Sequence, residues 1–113
     1  MAERLPAHVE AAGFLRGAEQ SGGFGAVLQK GDPDRGSLIL IVGSRGRHIA
    51  CLERVLAMDG AYRWQLVGPG ESSASQEVAE FLAKRQRFDP DSWLIELDIA
   101  LPERFIAETT GEG

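Results

Sequence analysis

Phe88-Asp-Pro-Asp-Ser-Trp-Leu-Ile-Glu-Leu-Asp-Ile-Ala-Leu-Pro-Glu-Arg-Phe-Ile106 is the stretch on which the fold turns. Pro90 lacks a backbone N–H and disfavours helix in the residue before it, so any preceding helix ends here. Residues 93–100 then read as an apolar strand. Glu96 and Asp98 are two apart, so they share one face of it. Pro102 suits the first position of a helix, and a short one is expected over about 102–107. Thr109 onward reads as a fraying tail.

Working back, Ser73 three residues before Gln76 fits a capping box, and a helix is expected over about 74–87. Val78, Phe81 and Leu82 form its apolar stripe, and Lys84, Arg85 and Arg87 suit its C-terminal dipole. Four strand segments precede it, at 24–30, 37–42, 47–55 and 62–67. The second contains Leu38 to Val42, the longest apolar run in the chain. A run without alternation implies cover on both faces and a central position. In the third, Ile49 and Cys51 read onto one face and His48, Leu52 and Arg54 onto the other. Gly31 to Gly36, Gly43 to Gly46 and Asp59-Gly60 separate the four as turns. Residues 6–21 read as a first helix with Ala7, Ala11, Phe14, Leu15 and Ala18 on one stripe. Gly13 and Gly17 weaken it, and close packing on the sheet is the expected reason.

The expected architecture is α+β: an antiparallel sheet of about five strands, a four-strand meander plus a C-terminal strand, with two main helices on one face and a short C-terminal helix. The position of the fifth strand is left open. With 113 residues the chain forms a single domain, residues 1–113, and buries enough surface for one core.

The net charge of −5 argues against nucleic acid and against an anionic membrane surface. The single cysteine, Cys51, excludes an internal disulfide, and no stretch has the form of a signal peptide or a membrane span. A cytoplasmic protein is expected.

Arg4-Leu-Pro6, Gly22-Gly-Phe24, Lys30-Gly-Asp-Pro-Asp34 with Gly36, Trp93-Leu-Ile-Glu-Leu-Asp98 and Pro102-Glu-Arg-Phe105 together resemble a small alphaproteobacterial family known only as a domain of unknown function, number fourteen ninety-one. The resemblance covers almost the whole chain. It implies a cytosolic bacterial protein of unassigned activity and carries over no catalytic or ligand residues.

Candidate chemistry is sparse. Glu96 and Asp98 have the pairing of an acid–base or metal site, but neighbouring strands offer only His48 as a further ligand. Facing solvent, or pairing with Arg54 or Arg63 across the sheet, is the expected role. Asp32 and Asp34 begin like a calcium loop, but the sixth position is Ser37 and the twelfth Gly43, so a turn is expected instead. Gly22, Gly23 and Gly25 follow a helix and precede a strand, the reverse of a phosphate loop. Arg45 and Arg47 make one small basic loop, read as a solvated hairpin tip. Cys51 lacks a base on its own face and reads as buried, while Trp64 and Trp93 read as core.

No metal or cofactor is expected, and the reading leans against an enzyme. The favoured function is a protein-interaction module that binds an unknown protein partner or itself, as a homodimer through a sheet edge. The alternative is a small-molecule or phosphate ligand site built from Arg54, Arg63, Glu96 and Asp98 on one sheet face, together with Lys30.

Overall fold

A computed structural model describes residues 5–111; Arg4 and residues 112–113 of the expected tail lie outside the described residues. The elements run α1 (Ala7–Gln20), β1 (Phe24–Gln29), β2 (Leu38–Ser44), β3 (Arg47–Leu56), β4 (Tyr62–Val67), α2 (Ser75–Phe88), β5 (Trp93–Asp98) and α3 (Pro102–Thr110). The α+β class and the element order agree with the sequence reading.

The sheet order does not. It is β1-β5-β2-β3-β4, with β5 antiparallel to β1 but parallel to β2. The sheet is therefore mixed, and only β2, β3 and β4 form a meander. The physical reason lies in residues 30–37. A tight hairpin joins adjacent strands, whereas this loop crosses the start of β5. Asp32 N–H donates to the Asp91 carbonyl at 2.9 Å, Trp93 Nε1–H to the Asp32 carbonyl at 2.7 Å, and Trp93 N–H to the Ser37 carbonyl at 2.7 Å. At Gly36 a methyl group would overlap the Asp91 carbonyl, so only glycine lets the loop lie this close. The Asp32 carboxylate accepts from Asp34 and Arg35 N–H, as a turn requires, and these bonds hold it below the usual carboxylate range.

The helices also divide differently. One core cluster lies on one side of the sheet, where Ala7, Ala11 and Ala18 of α1 meet Leu38, Leu40, Val42, Leu52, Ile95 and Leu97, with Phe105 and Ile106 of α3 packed alongside. The other side has a smaller cluster, Ile39, Ile41, Cys51 and Leu94, beneath Phe81 and Leu82 of α2. So α1 and α3 share a face and α2 lies alone on the opposite one. Uninterrupted Leu38 to Val42 needs cover on both sides, and one face of helices cannot supply it.

Smaller corrections have local causes. α2 starts at Ser75 after Ala74, and Glu77 rather than Gln76 reaches back to the Ala74 N–H at 3.2 Å. α3 continues through Thr110 to Gly111, whose φ of 79° ends it in the left-handed conformation. Gly13 and Gly17 do not pack on the sheet: a methyl at either would meet nothing within 4 Å.

Candidate functional site

The β2–β3 turn has φ 54° at Arg45 and 80° at Gly46, the two left-handed residues of a type I′ hairpin. Asp98, at the end of β5, explains why an arginine tolerates this. Its carboxylate accepts the Arg45 N–H at 3.0 Å and the Gly46 N–H at 2.9 Å. Asp98 is thus a turn-holding residue, and its oxygens are engaged with backbone rather than with Arg54 or Arg63.

A hollow of about 290 Å³ opens beside this turn, at the C-terminal ends of the parallel pair β2 and β5, and Glu96, Asp98, Arg47, His48, Ser75 and Phe24 line part of it. Glu96 and Asp98 share a face, as expected. His48 joins them because a bulge between Val42 and Gly43 shifts the register, so Gly43 pairs with His48 while Val42 pairs with Ala50. That corrects the assignment of His48 to the face of Leu52 and Arg54. His48 Nε2–H donates to the Pro69 carbonyl at 2.9 Å, and Arg47 pairs with Glu71 at 2.7 Å. The two carboxylates outnumber the one fixed cation, Arg47, which is itself paired with Glu71, so the hollow is not built for an anion. Among the described residues no three His, Cys, Asp or Glu side chains are grouped to hold a metal ion.

The five ligand candidates do not converge. Arg54 lies on the α1 face, where Glu10 accepts from its guanidinium and the rings of Tyr62 and Trp64 lie against it at 5.4 and 5.5 Å. Arg63 pairs with Asp59 within its own hairpin, on the edge strand β4. Lys30 is exposed just past β1. Only Glu96 and Asp98 meet in one concavity. A residue two positions along a strand returns to the same face, but sequence does not report which helix covers that face.

Cys51 lies beneath α2, 1% exposed, and burial pushes its thiol up from the ordinary 9.0 to about 11. It is a packing residue, inert as a nucleophile. Iodoacetamide is expected to leave the native thiol unmodified at neutral pH and to modify it rapidly in urea. The raised pKa also has a stability consequence with a fixed sign. Below pH 9 both folded and unfolded chains keep the proton. As pH climbs from about 9 towards 11 the unfolded chain releases it first, so stability falls over that window. Chemical denaturation at stepped pH is expected to show that slope, and Cys51→Ala to lose this part of it.

What sequence motifs missed is the surface flanking the hollow. The sheet edges are β1 and β4. β1 reads Phe-Gly-Ala-Val-Leu-Gln and carries no charge. α1 covers one of its faces: a methyl at Gly25 would meet the Leu15 side chain. Its outer edge pairs with no strand among the described residues. Phe24 is 57% exposed, Val27 41% and Leu28 43%. At the far end Gln29 Nε2–H donates to the Ser92 carbonyl at 2.7 Å, which brings β1 beside the end of α2, where Phe88 is 75% exposed. The available signal was an uncharged six-residue strand in a chain with 26% charged residues.

Over residues 5–107 the chain matches the family described as Protein of unknown function (DUF1491). The crystal structure of a DUF1491 family protein from Caulobacter crescentus is similar with a TM-score of 0.75 at 23% identity, covering 84% of this chain and 88% of that one. The NMR structure of a DUF1491 family protein from Caulobacter crescentus gives a TM-score of 0.72 at 26% identity, over 84% and 86% of the two chains. The solution structure of a protein from A. tumefaciens gives 0.71 at 24%, over 87% and 88%. These likenesses establish the fold, and both organisms are alphaproteobacteria, as the resemblance implied. No curated protein matches. No helix among the described residues is long and apolar enough to cross a membrane.

Proposed function

This chain belongs to the DUF1491 family of proteins of unknown function, and we propose that it works as a non-enzymatic interaction module whose β1 edge joins β1 of a second copy. The observation that carries this reading is the uncharged, unpaired edge of β1 with Phe24, Val27 and Leu28 exposed along it. Monomeric proteins guard an open edge with lysines, prolines or inward charges, because its free N–H and C=O groups template pairing. β4, the other edge, has Arg63 in its span; β1 has no charge, and its one irregularity is the register break between Val27 and Gln29.

A second copy is the occupant that the charge favours. Two chains of net charge −5 repel, and an uncharged strip is where they approach at least cost. Antiparallel pairing of β1 with itself is two-fold and closes, so it yields a dimer rather than a fibre. A stable interface needs roughly 800 Å² per partner. One short strand falls below that, and the exposed Phe24 and Phe88 supply apolar surface at either end.

Sedimentation velocity over a dilution series is expected to show a dimer that dissociates on dilution. Leu28 lies in neither core cluster and stands at a break in the β1–β5 register, so Leu28→Lys leaves the monomer folded. It is expected to sediment as a monomer at every concentration, with an unchanged circular dichroism spectrum. A wild-type monomer throughout, or a Leu28→Lys dimer of unaltered strength, overturns the reading.

A further inference from the structure

On the sheet face opposite α2 a cleft of about 360 Å³ runs between α1 and α3. Gly13, Phe14 and Gly17 form one wall, Leu101 and Phe105 the other, and Leu97 and Ile99 lie at its base. Phe14 sits edge-on to Phe105, with ring centres 6.4 Å apart, so these walls are held by the same packing as the core. Arg104 is the single cation of the lining, and Glu108 the single anion.

We propose that this cleft binds a small apolar carboxylate, its chain between α1 and α3 and its carboxylate on the Arg104 guanidinium. Three observations support this. The volume falls at the small end of ligand sites, roughly 300 to 1,000 Å³, which suits one short chain rather than a ring system. A largely exposed cation borders the cleft: Arg104 gives Glu108 its Nε–H at 3.2 Å, an exposed pair that exchanges readily, while its two terminal nitrogens make no hydrogen bond among the described residues. Those nitrogens form the fork that takes a carboxylate bidentately. Third, nothing within the fold calls for glycine at 13 or 17. Neither has a left-handed φ, both weaken the helix, and a methyl at either would meet nothing within 4 Å. Side chains there would occupy the cleft.

Decanoate, kept below its micellar concentration, is the probe, titrated into the ¹⁵N-labelled full chain. Saturable amide shifts confined to α1, α3 and the cleft base at residues 97–101 are expected. Gly17→Leu has room to fold, fills the cleft and is expected to abolish them. Arg104→Gln is expected to weaken decanoate about tenfold, the scale of one charge-assisted contact. Decanol, which lacks the charge, is expected to bind with the same weakness to both proteins. The proposal fails if no saturable shifts occur, if they persist in Gly17→Leu, or if the same amides shift on dilution without decanoate, which would place a second copy in the cleft. Self-association through β1 is read separately by sedimentation, so either proposal stands or falls without the other.

Discussion

Replacing Glu10 by alanine is expected to remove about 3 to 5 kcal/mol of stability, a large part of what a domain of this size has. Glu10 of α1 accepts from the guanidinium of Arg54 on β3, and the two side chains are only 10% and 15% exposed. The Arg54 side chain lies against Tyr62 and Trp64, and its Nε is buried without a hydrogen-bond partner. Taking away the carboxylate leaves that mostly buried cation without its counter-charge, which is the costly way to break a buried pair. Replacing both partners tells the two costs apart. Glu10→Leu with Arg54→Met removes the charges together and leaves apolar side chains of similar length, so most of the loss is expected to return. Urea titrations of the three proteins, wild type included, are the measurement, with m held constant as the sign that the unfolded state is unchanged. A Glu10→Ala cost below about 1 kcal/mol would mean that the pair behaves as an exposed one. The pair also matters beyond stability. It fixes α1 across the sheet, and α1 is what covers one face of β1 while the outer edge of β1 stays open.

Much of the fold was legible because it is written locally. Each turn has its own chemistry: Arg45, Gly46 and Gly60 take the left-handed positions, and Pro90 closes α2. The central place of β2 followed from five successive apolar residues, all of them buried. Strand order was not legible, because pairing between segments far apart leaves little trace within either. Glu96 and Asp98 marked one face of β5 but did not say where β5 sits in the sheet. Glu96 is exposed beside the hollow, and Asp98 is occupied with a turn more than fifty residues earlier in the chain. The link between Glu10 and Arg54 is of the same kind, since neither neighbourhood alone names the other. The two faces of the sheet were confused for a similar reason. Helix stripes show that a helix packs, not on which side, and both the scattered ligand candidates and the shared-face helices stem from that ambiguity.

The inserted position of β5 makes a second strong prediction. Ile95→Ala is expected to cost about 3 to 4 kcal/mol, in the range for emptying a fully buried aliphatic site, whereas Val27→Ala is expected to cost under 1 kcal/mol. The two residues are direct neighbours, paired across β1 and β5, and both are β-branched, so composition and local propensity nearly cancel between them. What differs is place. Ile95 is 0% exposed, with β2 on its other side through Leu40 and the α1 core above it. Val27 is 41% exposed on a strand whose far side is open. A terminal strand simply added at the edge of a four-strand meander would reverse the order, with the heavier loss in β1. Denaturation of the two variants therefore reads strand order directly, and equal losses would contradict the arrangement. Run at protein concentrations above and below the midpoint of the proposed dimer, the same pair also bears on self-association. A dimer through β1 covers Val27, so the cost of Val27→Ala should grow with concentration while that of Ile95→Ala, already buried within one copy, stays where it was.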